Sequence, residues 1–539
     1  MISMQGKGVS GGLAQGTVRF FRRVETAVRR EAAGTAQEEL ARFDLARERA
    51  AGELASLAQQ ARTSAGEEAA LLFETHALLM EDEDFSACVR EAVEAGCSAG
   101  YAVQEAGRRF AAMLGAMEDA YMQARAADVE DVARRLLRGL TGEAEACMEL
   151  PGPVIVAADD LSPSETIRLD RRMVLAFITR GGSDNSHAAI LARTMGIPAV
   201  CGLGDGLSEA AQGRLALVDG DEGSVVLEPD GAALSAHAEK RAQQQARMAL
   251  WQSQRGREDV APDGRHISIC CNIGSPEDIS SVLENDGRGV GLFRSEFLCL
   301  ASGGFPGEEE QLRAYREVVD AMGGRRVVIR TLDVGADKQA DFLGLPREEN
   351  PALGMRGVRV SLSRPEMFRT QLRAIYRASA FGRVAILFPM IASLWEVQEC
   401  KRMCRRVMEE LEAEGVPFRR ETEVGVMIET PASVLLAEEM AREVDFFSVG
   451  TNDLTQYTLA CDRQADGMER FCDPRHPAVL RAVRMAAEAA HRAGIWIGIC
   501  GEMAADEALL SALLDMGIDE LSVPAPRVLP LRAALRGEN

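Results

Sequence analysis

Strand-like runs in the second half of this sequence end on Asn272, Arg294, Arg330, Arg356, Pro389, Glu429, Asn452 with Asp453, and Cys500. Three arginines aimed at one cavity repel one another unless an anion lies between them, and the guanidinium fork matches phosphate and carboxylate oxygens. The pattern points to a small phosphorylated acid as ligand. Glu429 and Asp453 offer two hard oxygen donors, the set that suits magnesium completed by substrate oxygens and water; simple pairing with the arginines is the plainer alternative. Lys338 is one of few lysines in a chain whose cations are almost all arginine, and in the turn-rich stretch from Asp333 it supplies a mobile point charge suited to a phosphoryl group in transfer. Cys500, in Gly498-Ile499-Cys500-Gly501-Glu502, is either a packing cysteine or a thiol able to protonate a carbanion or enolate.

A second constellation lies upstream. Gly181-Gly182-Ser183-Asp184-Asn185-Ser186-His187 leads into Ala188 to Met195, and Gly196 with Pro198 supplies a stop. The spacing predicts a loop feeding a short helix capped by Asn185 or Ser186, with His187 in the first turn. Free amide hydrogens and the positive helix end there favour an attached anion, and imidazole is a competent nucleophile at neutral pH. Locally, a capping or core role for this histidine is an equal reading.

The elements that must position these groups follow from texture. At 539 residues the chain exceeds one compact core and predicts two to four domains. The opening stretch reads as loop and strand. From about 24 to 147 the pattern is helical and free of proline, as in a small bundle. Short strands and turns over 148–230 read as a compact α/β unit that the first 23 residues join, so the bundle is an insertion; 231–260 reads as a polar helical linker. From 261 to 539, strand-like runs at 266–273, 290–297, 327–334, 355–360, 384–390, 424–429, 446–449 and 495–500 alternate with longer helical patterns. Eight such units over roughly 270 residues make a (β/α)8 barrel, whose active site lies at the C-terminal strand ends.

Composition removes other classes. A net charge of -22 disfavours nucleic acid and anionic lipid, and no apolar run approaches a membrane span. Without a secretory leader the expected compartment is the cytoplasm, and twelve scattered cysteines with no CxxC pair predict reduced thiols.

Taken together, Gly291-Leu292-Phe293-Arg294-Ser295-Glu296-Phe297, Arg330-Thr331-Leu332-Asp333, Val426-Met427-Ile428-Glu429-Thr430-Pro431 and Gly450-Thr451-Asn452-Asp453-Leu454-Thr455-Gln456-Tyr457 resemble the barrel motifs of enzyme I of the bacterial phosphoenolpyruvate:sugar phosphotransferase system, and the likeness runs nearly end to end. The resemblance implies an α/β multidomain protein: a C-terminal TIM barrel, a swivelling phosphohistidine domain, and a helical insertion that binds the carrier protein HPr. It implies that Arg294, Arg330, Arg356 and Arg463 hold phosphoenolpyruvate, assisted by Lys338 and Asn452; that Glu429 and Asp453 bind magnesium; that Cys500 protonates the enolate; and that Thr166 orients the phosphohistidine at His187. It also implies a homodimer joined through the barrel. Segments 74–85 and 126–137 look like the HPr-binding region, with Glu81 to Asp84 as part of an acidic face; by charge alone that run is a solvated helix end, and His76 beside Glu74 is a surface ion pair. The chain departs from the family in the three residues between Gly182 and Ser186 and in Asp184, whose charge disfavours a neighbouring phosphoryl anion. A dikinase or synthase of related build lacks support, since a bundle stands where its nucleotide-binding domain would be and no GK[ST] loop occurs. A regulator that binds the carrier without phosphorylating it is opposed by the intact Arg, Glu, Asp and Cys set.

Overall fold

A computed structural model of the chain describes residues 1–539 except 22–27, 66, 118–119, 143–149, 151, 162–164, 166–168, 183–185, 302–303, 336–342, 346–347, 464, 466, 469 and 539; side chains at 60, 63–65, 67–72, 120–124, 171, 187–188, 191, 194 and 301 are also outside the description. Two compact units result, 1–244 and 245–539.

The first unit opens with β1 (Ile2–Gln5), β2 (Lys7–Ser10) and β3 (Leu13–Phe20). Helices α1 (Ala36–Ala65), α2 (Glu67–Met80), α3 (Glu83–Glu94), α4 (Ala99–Gly115) and α5 (Ala120–Thr141) then intervene before the sheet resumes. It continues as β4 (Val154–Ala158), β5 (Val174–Thr179), α6 (His187–Met195), β6 (Ala199–Cys201), β7 (Leu215–Asp219) and β8 (Ser224–Leu227), with strand order β1-β8-β7-β3-β4-β5-β6-β2. Because β3 pairs with both β4 and β7, the sheet cannot close without the N-terminal segment, and the helices are an insertion between paired strands. The bundle has its own core, including Phe43, Leu54, Leu57, Phe73, Phe85, Val89 and Leu136. Helices α4 and α5 approach closely where Gly107 faces Ala133, since a Cβ at 107 would lie 2.5 Å from the alanine methyl.

His76 is fully buried rather than a surface ion pair. Its Nε2 lies 3.1 Å from Asp128 Oδ1, and its Nδ1 3.7 Å from Asp131 Oδ2. Period 3.6 places His76 on the inner face of α2, while Glu74 points outward to Arg62 at 2.7 Å. In the acidic run, the Asp82 carboxylate caps α3 by accepting from Phe85 N–H at 2.8 Å.

Helix α7 (Gly231–Ser253) follows β8. The barrel consists of β9 (Ser268–Ile273), β10 (Val290–Arg294), β11 (Val327–Arg330), β12 (Val384–Phe388), β13 (Glu423–Ile428), β14 (Phe446–Gly450), β15 (Trp496–Cys500) and β16 (Glu520–Val523), closed by β16 pairing with β9. Its strands are buried on both faces, as parallel strands covered by crossover helices must be. Leu292, Val328, Ala385, Leu387, Met427 and Phe446 fill the interior.

The strand count of eight holds, but its membership changes. The run 355–360 is not a strand: it is a turn through Gly357, at φ +58°, into α8 (Val358–Ser363). Alternation in Val358-Arg359-Val360 imitates period 2, yet both valines are fully buried, Val358 in the barrel's main apolar core and Val360 in a cluster with Leu332, Val334 and Leu343. The eighth strand is β16, short and beyond the predicted set. Arg356 therefore reaches the site from a β→α loop instead of a strand end.

The thiol expectation also changes. Cys461 and Cys472 form a disulfide; the other described cysteines are free. No described helix is long and apolar enough to cross a membrane.

Candidate active site

The C-terminal strand ends gather a buried, alternating array of charge. Arg330, at the end of β11, donates to Glu296 Oε1 at 2.5 Å and pairs with Asp333 Oδ2 at 2.9 Å. Arg356 donates to Asp333 Oδ1 and Oδ2 at 3.1 and 3.2 Å, and to Asp453 Oδ1 and Oδ2 at 3.2 and 3.0 Å. Asp333 thus bridges the two guanidinium groups. Burial opposes charge on both arginines, but the surrounding carboxylates outweigh it and raise both pKa values. Both stay cationic at any working pH, so the site holds permanent positive charge for an anion.

Glu429, just past β13, is fully buried. Its Oε1 accepts from the Met390 N–H at 2.6 Å, while Oε2 has no hydrogen-bond partner. Burial first, then Asp453 and Asp333, push its carboxyl up to about 8 against the pull of Arg330 and Arg356. Met390 reaches it from a left-handed backbone conformation, φ +57°, which is costly for a residue with a side chain and marks backbone held for a purpose. Gly450 is required where β14 passes this carboxylate: a Cβ there would lie 2.7 Å from Glu429 Oε2. Among the described residues no group of three or more His, Cys, Asp or Glu side chains converges as a metal cage. A pair of carboxylates with one unsatisfied buried oxygen remains, which is the donor set a cation completed by substrate and water requires.

Asn452 and Asp453 open α9 (Thr451–Leu459), directly after β14. The Asn452 amide is held between Glu502 Oε1, to which it donates at 3.3 Å, and the Glu502 N–H, from which it accepts at 3.1 Å. Cys500 ends β15 with 3% exposure, within 3.5 Å of both the Ser448 hydroxyl and the Val449 carbonyl oxygen. Burial pushes its thiol up to about 11, partly offset by the Ser448 hydrogen bond and by Arg330 and Arg294. It is therefore a thiol, not a thiolate, at neutral pH. Arg294, half-buried at the end of β10, and Arg463, exposed after α9, have no side-chain partner among the described residues.

In the first unit, α6 begins at His187. Ser186 is its N-cap, with the hydroxyl accepting from Ala189 N–H at 3.4 Å, and Gly196 ends it at φ +63°. Gly182 turns the preceding strand exit at φ +92°. Residue 187 is thus the first helical residue, beside amide hydrogens that have no intrahelical acceptor.

Comparison with known proteins matches three regions to family models: 248–539 to the PEP-binding domain, 5–125 to the N-terminal domain, and 150–223 to the mobile domain of PEP-utilising enzymes. The phosphoenolpyruvate-protein phosphotransferase of Priestia megaterium is 40% identical over 535 residues, covering 99% of this chain and 93% of that one. That of Bacillus subtilis (strain 168) is 39% identical over 542 residues, covering 99% and 94%. The chain belongs to the phosphoenolpyruvate-protein phosphotransferase family. An NMR solution structure of Enzyme I (nEIt) is 31% identical, covers 45% of this chain and 99% of its own, and superposes with a TM-score of 0.38.

In this member of the phosphotransferase family, the fold brings Arg294, Arg330, Arg356, Glu429, Asn452, Asp453 and Cys500 to one end of the barrel. Arg463 lies on the adjacent loop. Lys338, Thr166 and Asp184 fall outside the described residues, as does the His187 side chain. Glu296, Asp333, Ser448 and Tyr457 were not singled out from the sequence. Asp333 joins the arginines, and the Tyr457 hydroxyl accepts from Arg356 Nη1 at 3.3 Å while donating to the Ala352 carbonyl. Glu296 and Asp333 sit two and three residues past candidate arginines inside the quoted motifs; an acid so near an arginine at a strand end is the available signal.

Proposed function

We propose that the chain transfers the phosphoryl group of phosphoenolpyruvate to His187, releases pyruvate, and passes the group to an HPr-like carrier as the first step of sugar uptake by the phosphotransferase system. The observation that carries this reading is a protonated, buried Cys500 thiol in the field of Arg330 and Arg294. The arginines suit an anion; the thiol can give it a proton.

Arg294, Arg330, Arg356 and Arg463, with Lys338 and Asn452, bind the substrate's phosphate and carboxylate. Asp333 fixes the separation of Arg330 and Arg356, so their forks are oriented before substrate arrives. Glu429 and Asp453 fit a magnesium ion, which when bound would supply charge neutralisation at the phosphoryl oxygens. In the transfer the substrate's P–O bond breaks and a bond from phosphorus to an imidazole nitrogen of His187 forms. The enol oxygen keeps the electron pair. Its methylene carbon then takes the Cys500 proton, giving pyruvate and a thiolate beside the Ser448 hydroxyl. Thr166 orients the phosphohistidine. The α6 N-terminus favours the dianion, and Asp184 opposes it.

The bundle segments 74–85 and 126–137 serve as the carrier's docking region. The domain reading is 1–23 with 148–230 as the phosphohistidine domain, 24–147 as the bundle, 231–260 as the linker helix and 261–539 as the barrel. A homodimer through the barrel and a cytoplasmic location, without nucleic-acid or membrane partners, complete the proposal.

Incubation with labelled phosphoenolpyruvate and magnesium tests it. Acid-labile, hydroxylamine-sensitive label that vanishes in His187→Ala is expected. Label that persists in that variant, or label arising from ATP instead, refutes the reading.

A further inference from the structure

The disulfide lies at an informative place. Cys461 and Cys472 are 11 residues apart in sequence, with Cα atoms 6.0 Å apart, and the interval they close contains Arg463. Upstream is α9, whose first turn carries Asn452 and Asp453; downstream α10 (Pro477–Ala493) returns the chain to β15. Helix α9 ends at Ala460 in a left-handed conformation, φ +51°. The Cys461 N–H then donates to the Gln456 carbonyl at 3.1 Å, and the Arg463 N–H to Gln456 Oε1 at 3.3 Å. One side of the loop is therefore anchored to the helix that bears the candidate metal and substrate ligands. The covalent link fastens the other side to it.

Arg463 differs from its companions in what holds it. Arg330 and Arg356 are buried between carboxylates, whereas the exposed guanidinium of Arg463 has no side-chain partner among the described residues. Its delivery to an anion depends on the loop backbone alone. The barrel's large apolar core includes neither Cys461 nor Cys472. Cys461 is buried and Cys472 half-exposed, which makes Cys472 the more accessible of the two residues to a thiolate from solution. Every other described cysteine of the barrel unit is a buried free thiol.

We propose that Cys461–Cys472 is a reversible redox-modification site that controls how Arg463 is presented to phosphorylated substrate. This rests on the reading of Arg463 as a substrate ligand. The partner is a dithiol reductant. One thiolate attacks Cys472 Sγ, the bond to Cys461 breaks, and Cys461 leaves as a thiolate that takes a proton. The reductant's second thiol then displaces Cys472, leaving the reductant as a disulfide. Two electrons and two protons pass to the pair; a disulfide oxidant reverses the change. The oxidised state is the one that holds Arg463 in place.

Single-turnover labelling of the full chain at varied phosphoenolpyruvate, before and after dithiothreitol, tests this, with alkylation and peptide mapping of Cys461 and Cys472 on each sample. Reduction is expected to raise the half-saturating concentration about tenfold, the scale of one charge-assisted contact, and to change the limiting rate less than about twofold. Cys461→Ser with Cys472→Ser should match the reduced protein in both conditions. Arg463→Ala should raise half-saturation and abolish the redox response. Half-saturation that stays fixed while mapping shows the bond opened overturns the proposal, as does a response surviving in the double variant, or both thiols alkylated without prior reduction. Absence of label in every redox state would instead defeat the underlying functional reading.

Discussion

Replacing Glu429 by glutamine separates the chemistry of this carboxyl from its cost. The folded chain holds it up to about 8, against 4.5 for an ordinary glutamate. Between those values the folded state keeps a proton that the unfolded chain has lost. Stability is therefore greatest below 4.5 and falls as pH rises towards 8, at about 1.4 kcal/mol per unit. The accumulated loss is about 1 kcal/mol at pH 5 and about 4 kcal/mol at pH 8, as orders of magnitude. Glutamine is isosteric and can still accept from the Met390 N–H, but it does not titrate. Glu429→Gln should thus equal the parent below pH 4.5, exceed it by about 1 kcal/mol at pH 5 and by about 4 kcal/mol at pH 8, while losing phosphoryl transfer. The assay is urea unfolding in the presence of a chelator, followed by tryptophan fluorescence. Trp251, Trp395 and Trp496 all lie in the second compact unit, so the signal reports the barrel without the bundle. A difference that is flat with pH, or a variant less stable at pH 8, would refute the assignment of a costly buried carboxyl.

Two further outcomes follow from the same contacts. Ser448→Ala removes the hydrogen bond that lowers the Cys500 thiol's pKa, so pH-dependent alkylation of Cys500 should shift to higher pH and pyruvate formation should slow about tenfold; an unchanged alkylation profile would count against it. Arg532→Ala removes the buried guanidinium that joins Asp259 to Asp286, leaving Asp259 only Arg288 as a cationic partner and Asp286 the Gly256 N–H, and should destabilise the barrel by about 3 kcal/mol in fluorescence-detected unfolding, with half-saturation by phosphoenolpyruvate unchanged.

The sequence by itself determined the class of the fold and most of the chemistry. Parallel strands buried on both faces write themselves as short apolar runs, so seven of the eight barrel strands were legible, and their ends carried Arg294, Arg330, Glu429 and Cys500. A capping serine and a terminal glycine bounded the His187 helix, because backbone groups at helix ends impose residue types locally. What the tertiary structure decided depends on partners far apart in the chain. Met355 to Val360 alternates like a strand, and only packing shows that the eighth strand is β16 and that Arg356 comes from a loop. His76 reads as a surface group until Asp128 and Asp131, on a helix some fifty residues later, enclose it. The bridging of Arg330 and Arg356 by Asp333, the strained Met390 beneath Glu429, and the closeness of Cys461 to Cys472 are likewise facts of three-dimensional approach. Residue type and period are local quantities; which charges share one dry cavity, and hence which stay protonated, is set by closure of the barrel.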